Sequence, residues 1–137
     1  MPAYRVHQLE HELRRMCQAL PGVQGSVVVS IEGLVMAAYP PVPEGRIDSD
    51  NPTSSPQVAA MSAALIALGA QTLSRLAQGD MDRLLVEGDG GGIIIVPSGP
   101  DAALAVMTYR DAKLGIIFHA VRRTAKQVAA ILEHAAP

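Results

Sequence analysis

A chain of 137 residues, 49% apolar and with a formal charge of −2, makes one globular domain that buries about two thirds of the surface its unfolded form exposes. Aromatics amount to 3% with no Trp, and the charge is weakly negative; both count against nucleic acid, which is gripped by basic patches and aromatic platforms. Cys17 is the single cysteine, which excludes an internal disulfide and fits a reducing, cytoplasmic setting.

The spacing predicts a first helix from about Ala3 to Leu20, with Val6, Leu9, Leu13, Met16 and Leu20 in steps of three and four. Pro21-Gly22 ends it, and Cys17 reads as a small buried hydrophobe within it. His7, Glu10, His11 and Glu12 break any apolar run, so this segment is not a secretory leader. Two apolar runs follow, Ser26 to Ile31 and Leu34 to Tyr39, split by Glu32-Gly33. They predict a β-hairpin with Gly33 at positive φ. Pro40 to Pro56 holds five prolines with Asp48, Asp50 and several Ser and Asn residues, and is expected to be a long exposed loop.

The second helix has no charge from Pro56 to Ser74. Val58, Met61, Leu65, Leu68, Thr72 and Leu76 form a stripe expected to face the core. The opposite face, Ala60, Ala63, Ala64, Ala67, Ala70, Gln71 and Ser74, is small and neutral where charges belong. Such a helix has two surfaces to bury, and in so small a domain the second is most simply covered by another protein chain. Pro52, Pro56, Gln57, Gly69 and Gln71 make the segment too polar and broken for a bilayer span. Gln78-Gly79 is the expected helix stop.

Arg83 to Glu87 and Ile93 to Val96 read as a second hairpin around Gly88 to Gly92, and Asp101 to Thr108 as a fifth strand after the turn Pro97 to Pro100. The last helix is expected to start near Asp111 as N-cap. Leu114, Ile117, Phe118, Val121, Ala125, Val128 and Leu132 form its inner stripe, while Arg122, Arg123 and Lys126 face water. Strands that are continuously apolar have both faces covered. The expected class is therefore α+β, a five-stranded antiparallel sheet with helices on both faces in the order αββαβββα, and residues 1–137 form one domain with a Pro-rich insertion at 40–56.

No catalytic constellation is visible. His7-Gln-Leu-Glu-His11 matches the inverted zincin pattern, yet it has no third ligand in view, so a solvated helix face is the better reading. Gly88 to Gly92 precedes a strand instead of opening a helix and has no following Lys-Ser/Thr, so it is a hairpin turn and not a phosphate loop. Asp48 to Asn51 lacks the spacing of a calcium loop. His119 and His134 have no evident nucleophile beside them. The expectation is a non-enzymatic chain with no metal and no cofactor.

In order along the chain, the pieces that carry a resemblance are Val27 to Met36, Ala59 to Leu65, Leu84 to Glu87, Ile93 to Pro97, Ala103 to Val106 and Leu114-Gly115. Together they resemble the Roadblock / dynein light chain family, including bacterial MglB-like proteins. The resemblance implies a profilin-like or longin-like fold. It also implies a homodimer whose third strands pair across a two-fold axis, with the two second helices side by side. On that basis Met61, Ala64, Leu65, Leu68, Gln71, Leu84, Leu85, Val86 and Glu87 are expected at or near the dimer interface. The resemblance further implies a Ras-like small GTPase as partner, with Gln57, Ala60, Ala64, Ala67, Gln71 and Arg75 as candidate contacts. MglB-like members accelerate GTP hydrolysis without an arginine finger; Arg46 would be the candidate if one were used here. The alternative is an adaptor without effect on turnover. The loop at 40–56 is longer than is usual in the family.

Overall fold

The computed structural model describes residues 3–41, 53 and 55–134. Its elements are α1 (Ala3–Ala19), β1 (Val23–Ser30), β2 (Val35–Tyr39), α2 (Pro56–Arg75), β3 (Leu84–Gly88), β4 (Gly91–Pro97), β5 (Ala102–Tyr109) and α3 (Leu114–Glu133). The order αββαβββα is the expected one. The strands form one antiparallel sheet in the spatial order β2-β1-β5-β4-β3. β5 is central because its run Ala102 to Val106 is buried on both faces, as a continuously apolar strand requires.

Alternation along the strands divides the interior in two. On one face Val28, Ile94, Val96, Leu104 and Val106 meet Leu9, Leu13 and Met16 of α1 and Ile117, Val121 and Val128 of α3. On the other, Val27, Val29, Ala38, Ile95, Ala103 and Ala105 meet α2. The α1–α3 face is built from large side chains, the α2 face mostly from Val and Ala. That difference sets how each helix can sit.

Several local expectations need correction. α2 stops at Leu76, before Gln78-Gly79: Ala77 takes the left-handed conformation at φ 55°, its N–H donates to Ser74 O, and Gln78 N–H donates to Leu73 O. This pair of bonds is a Schellman cap closed by Ala where Gly is usual. Asp111 does not cap α3, whose N-cap is Lys113 without a side-chain bond; the chain turns through Ala112, whose N–H donates to Tyr109 O, before the helix begins. Gly33 does take positive φ, at 89°. Arg122, Arg123 and Lys126 are exposed as expected, and Arg122 pairs with Asp82 at 2.6 Å across exposed surface.

Cys17 is half-buried, its Sγ 3.2 Å from Ser26 Oγ. Burial pushes the thiol above its ordinary value, partly offset by the Ser26 contact. Iodoacetamide at mildly alkaline pH is therefore expected to label the folded protein more slowly than the chain in urea. Equal rates would show that the thiol is open to solvent. The sign for stability follows: the folded state holds the proton longer, so this contribution is complete below the unfolded thiol pKa and is lost as pH rises through the folded one.

Candidate functional site

α2 is fixed at its start by two buried side chains. Ser55 is its N-cap, with Oγ accepting the Val58 N–H at 3.4 Å, and Pro56 occupies the first helical position. Thr53 is 4% exposed and its Oγ1 donates to Met107 Sδ at 3.2 Å. It lies against Gly25, where a Cβ would stand 2.7 Å from Thr53 Oγ1; only glycine leaves room there. The exit of the Pro-rich segment is thus buried, against the expectation of an exposed loop throughout. Residues 42–52 and 54, with Arg46 among them, lie outside the described residues.

The helix does not present the expected stripe to the core. Its buried residues are Ala59 and Ser62, and Leu65 and Ile66 are partly buried beside them. Met61, Leu68 and Leu76 stand 64%, 62% and 62% exposed, and Thr72 is exposed. The physical reason lies in the sheet. A floor containing Ala38, Ala103 and Ala105 is filled by a helix that comes close on small residues. The larger stripe is displaced sideways, over the β3 edge.

Two apolar grooves mark this overhang. One of about 420 Å³ lies where Val58, Met61 and Leu65 face Val86 and the glycines Gly90, Gly91 and Gly92. The other, about 380 Å³, lies where Leu68, Gly69 and Thr72 meet Met81 and Leu84. Gly69 lies directly against the Met81 side-chain end, so a Cβ there would make Met81 Cε shift. β3 itself is an edge strand, and among the described residues no strand pairs with its outer side. An edge with Val86 44% exposed and its backbone groups open is a template for another strand.

The structure places the candidate residues as follows. Met61, Ala64, Leu68, Gln71, Val86 and Glu87 are exposed, and Leu65 and Leu84 are half-buried on the α2 side. Leu85 differs: it packs against the α1–α3 core on the other face of the sheet. Gln57, Ala60, Ala64, Ala67, Gln71 and Arg75 are all exposed and follow one line along α2. Ile31 and Leu34 stand 59% and 67% exposed and are not among the residues expected at the site. Their signal was the large apolar residue on either side of Glu32-Gly33, which strand reasoning absorbed into the hairpin.

By length and composition alone, Pro56–Arg75 is apolar enough to cross a membrane, where the expectation was a segment too polar and broken for that. In the fold it is seated on the sheet, and its apolar excess faces outward, with 11% of the apolar window buried. His7, Glu10 and His11 line a polar groove with Arg14 and Tyr39 on the far side of the sheet. Among the described residues no group of three or more His, Cys, Asp or Glu is placed to hold a metal ion.

The family model of the Roadblock/LC7 domain matches residues 9–108. The chain belongs to the Roadblock/LC7 domain family. An uncharacterized protein of Methanocaldococcus jannaschii is 30% identical over 110 residues, covering 80% of this chain and 85% of that one. The Roadblock/LC7 domain from Streptomyces avermitilis superposes with a TM-score of 0.77 at 23% identity, covering 90% of this chain and 97% of its own. A structure of MglB in a tetrameric arrangement superposes with a TM-score of 0.82 at 18% identity, covering 99% and 96%. At these identities the two structures establish the Roadblock fold.

Proposed function

We propose that this Roadblock domain is a homodimeric cytoplasmic regulator or scaffold that docks a Ras-like small GTPase. The observation that carries the reading is α2, a helix without charge from Pro56 to Ser74 that leaves Met61 and Leu68 turned away from their own core. A monomer leaves that surface and the β3 edge in water. A second copy covers both at once: β3 pairs with β3, and the Met61–Leu68 stripe packs across the two-fold axis. The tetrameric arrangement recorded for MglB supports self-association of this fold.

The outer line of α2, from Gln57 through Ala60, Ala64 and Ala67 to Gln71, then remains for the partner. Small side chains let a partner backbone approach closely, and Arg75 adds a charged rim. The domain acts without catalytic residues of its own. Any acceleration of hydrolysis comes from favouring the competent arrangement of the GTPase's switch segments, a population shift.

The test is single-turnover GTP hydrolysis by the Ras-like GTPase of the same genome, with and without the domain. Faster turnover that survives Arg46→Ala supports regulation through the partner's own residues, whereas loss with Arg46→Ala assigns an arginine finger. Unchanged turnover with measurable binding moves the domain to the adaptor role. Absence of binding in both nucleotide states removes the GTPase from the reading.

A further inference from the structure

The turn between β1 and β2 holds two large apolar side chains in water, Ile31 and Leu34. Its backbone is rigidly tied. Ile31 N–H donates to Asp101 O at 3.0 Å, Gly33 N–H to Ser30 O at 2.9 Å, Ser30 N–H to Leu34 O at 2.9 Å and Leu34 N–H to Ser30 Oγ at 3.1 Å. Gly33 also presses on α2, where a Cβ at this position would stand 3.0 Å from Ala60 Cα. The turn is therefore fixed both to the β4–β5 connection and to the helix. Ile31 and Leu34 are carried on a framework whose ordering cost was met on folding, and such preorganisation favours binding.

Ala60, the residue under Gly33, belongs to the exposed line of α2. That line permits close approach but contains no large apolar side chain, and interfaces draw most of their energy from a few large anchors. Ile31 and Leu34 flank Gly33, the residue that packs on Ala60, and supply them. Two acidic side chains belong to this turn and its anchor point: Glu32 lies between the two apolar residues and is exposed, as is Asp101, whose carbonyl holds Ile31. α2 contributes no charge before Arg75. An apolar patch with an acidic rim is complementary to an apolar surface ringed by Lys or Arg.

We infer that the β1–β2 turn is part of the docking surface, with Ile31 and Leu34 as apolar anchors and Glu32 as the electrostatic determinant. Its occupant is the Ras-like GTPase of the preceding section, engaged through an apolar segment flanked by basic residues, and the inference rests on that reading. The turn is at the opposite edge of the sheet from β3, so these two anchors stay clear of the β3 pairing expected in the dimer.

The experiment is calorimetric titration of that GTPase, loaded with a non-hydrolysable GTP analogue, into wild type and into the Ile31→Ser, Leu34→Ser double variant, with light scattering and thermal unfolding alongside. The double variant is expected to bind at least about tenfold more weakly with mass and unfolding temperature unchanged, because both side chains are exposed in the protomer. Glu32→Lys is expected to weaken binding at low salt and to approach wild type at high salt. If wild type binds and the double variant binds within about twofold of it, the anchor role is overturned while docking on α2 stands. If wild type does not bind, the GTPase reading falls and this inference falls with it.

Discussion

The Met61→Glu, Leu68→Glu double variant is expected to be a folded monomer where wild type is expected to be a dimer. Both side chains are more than three-fifths exposed in the protomer, so the substitutions ask nothing of the domain's own core. Across a two-fold seam each variant chain would bring two carboxylates into an apolar contact, four in all, with no basic residue on α2 before Arg75 to pair them. The effective desolvation penalty is several kcal/mol per buried ion, enough to raise the dissociation constant by about a thousandfold or more. Light scattering at micromolar protein reads the mass, and far-ultraviolet circular dichroism checks the fold. A variant that stays dimeric with native dichroism would place the seam somewhere other than the α2–β3 overhang.

Leu104→Ala should cause the largest loss of stability by a single conservative change. Leu104 is fully buried on the central strand, in the core between the sheet and the α1–α3 layer. Truncating such a residue removes its transfer energy and leaves a cavity, a loss of about 2–5 kcal/mol, which is a large part of the stability of a domain this size. Leu68→Ala is the control. The same chemical change on an exposed side chain should alter protomer unfolding by roughly 0.5 kcal/mol or less. Urea unfolding of Leu104→Ala and of Leu68→Ala, each beside its parent in a single Met61→Glu background at protein concentrations where light scattering reads a monomer, separates protomer stability from dimer linkage. Equal midpoints for Leu104→Ala and its parent would mean that β5 is not the centre of the cooperative core.

Much of this fold is legible before folding because the strand and helix periods are local properties. Leu9, Leu13 and Met16 at steps of four and three lie where a helix stripe puts them, and all are buried. Ala102 to Val106, apolar without alternation, is buried on both faces of the sheet. Gly33 is at positive φ because the hairpin needs it there. The local signals that failed were end signals. Gly79 promised a helix cap that Ala77 provides, and Asp111 promised an N-cap at a position where the chain is still turning. Caps are set by how the chain leaves the helix, and neighbours several residues away decide that.

The site was half legible. Absence of charge over Pro56 to Ser74 is a property of the sequence alone, and it correctly announces a helix with more apolar surface than its own domain covers. Hydrophobic size along the helix, however, pointed the wrong way. The Met61–Leu65–Leu68 stripe is the natural core face on periodicity, and the fold instead seats Ala59 and Ser62 on the sheet. The deciding partners, Ala38, Ala103 and Ala105, come from two other strands distant in sequence. A shallow floor accepts a close helix with small contacts and rejects a bulky one. Likewise Ile31, Leu34 and Ala60 meet only because Gly33 packs on α2. The sequence by itself determined the order of elements, the two-sided sheet and the family. Tertiary packing decided which side of α2 is free, because the steric fit between helix and sheet depends on residues that no local window contains.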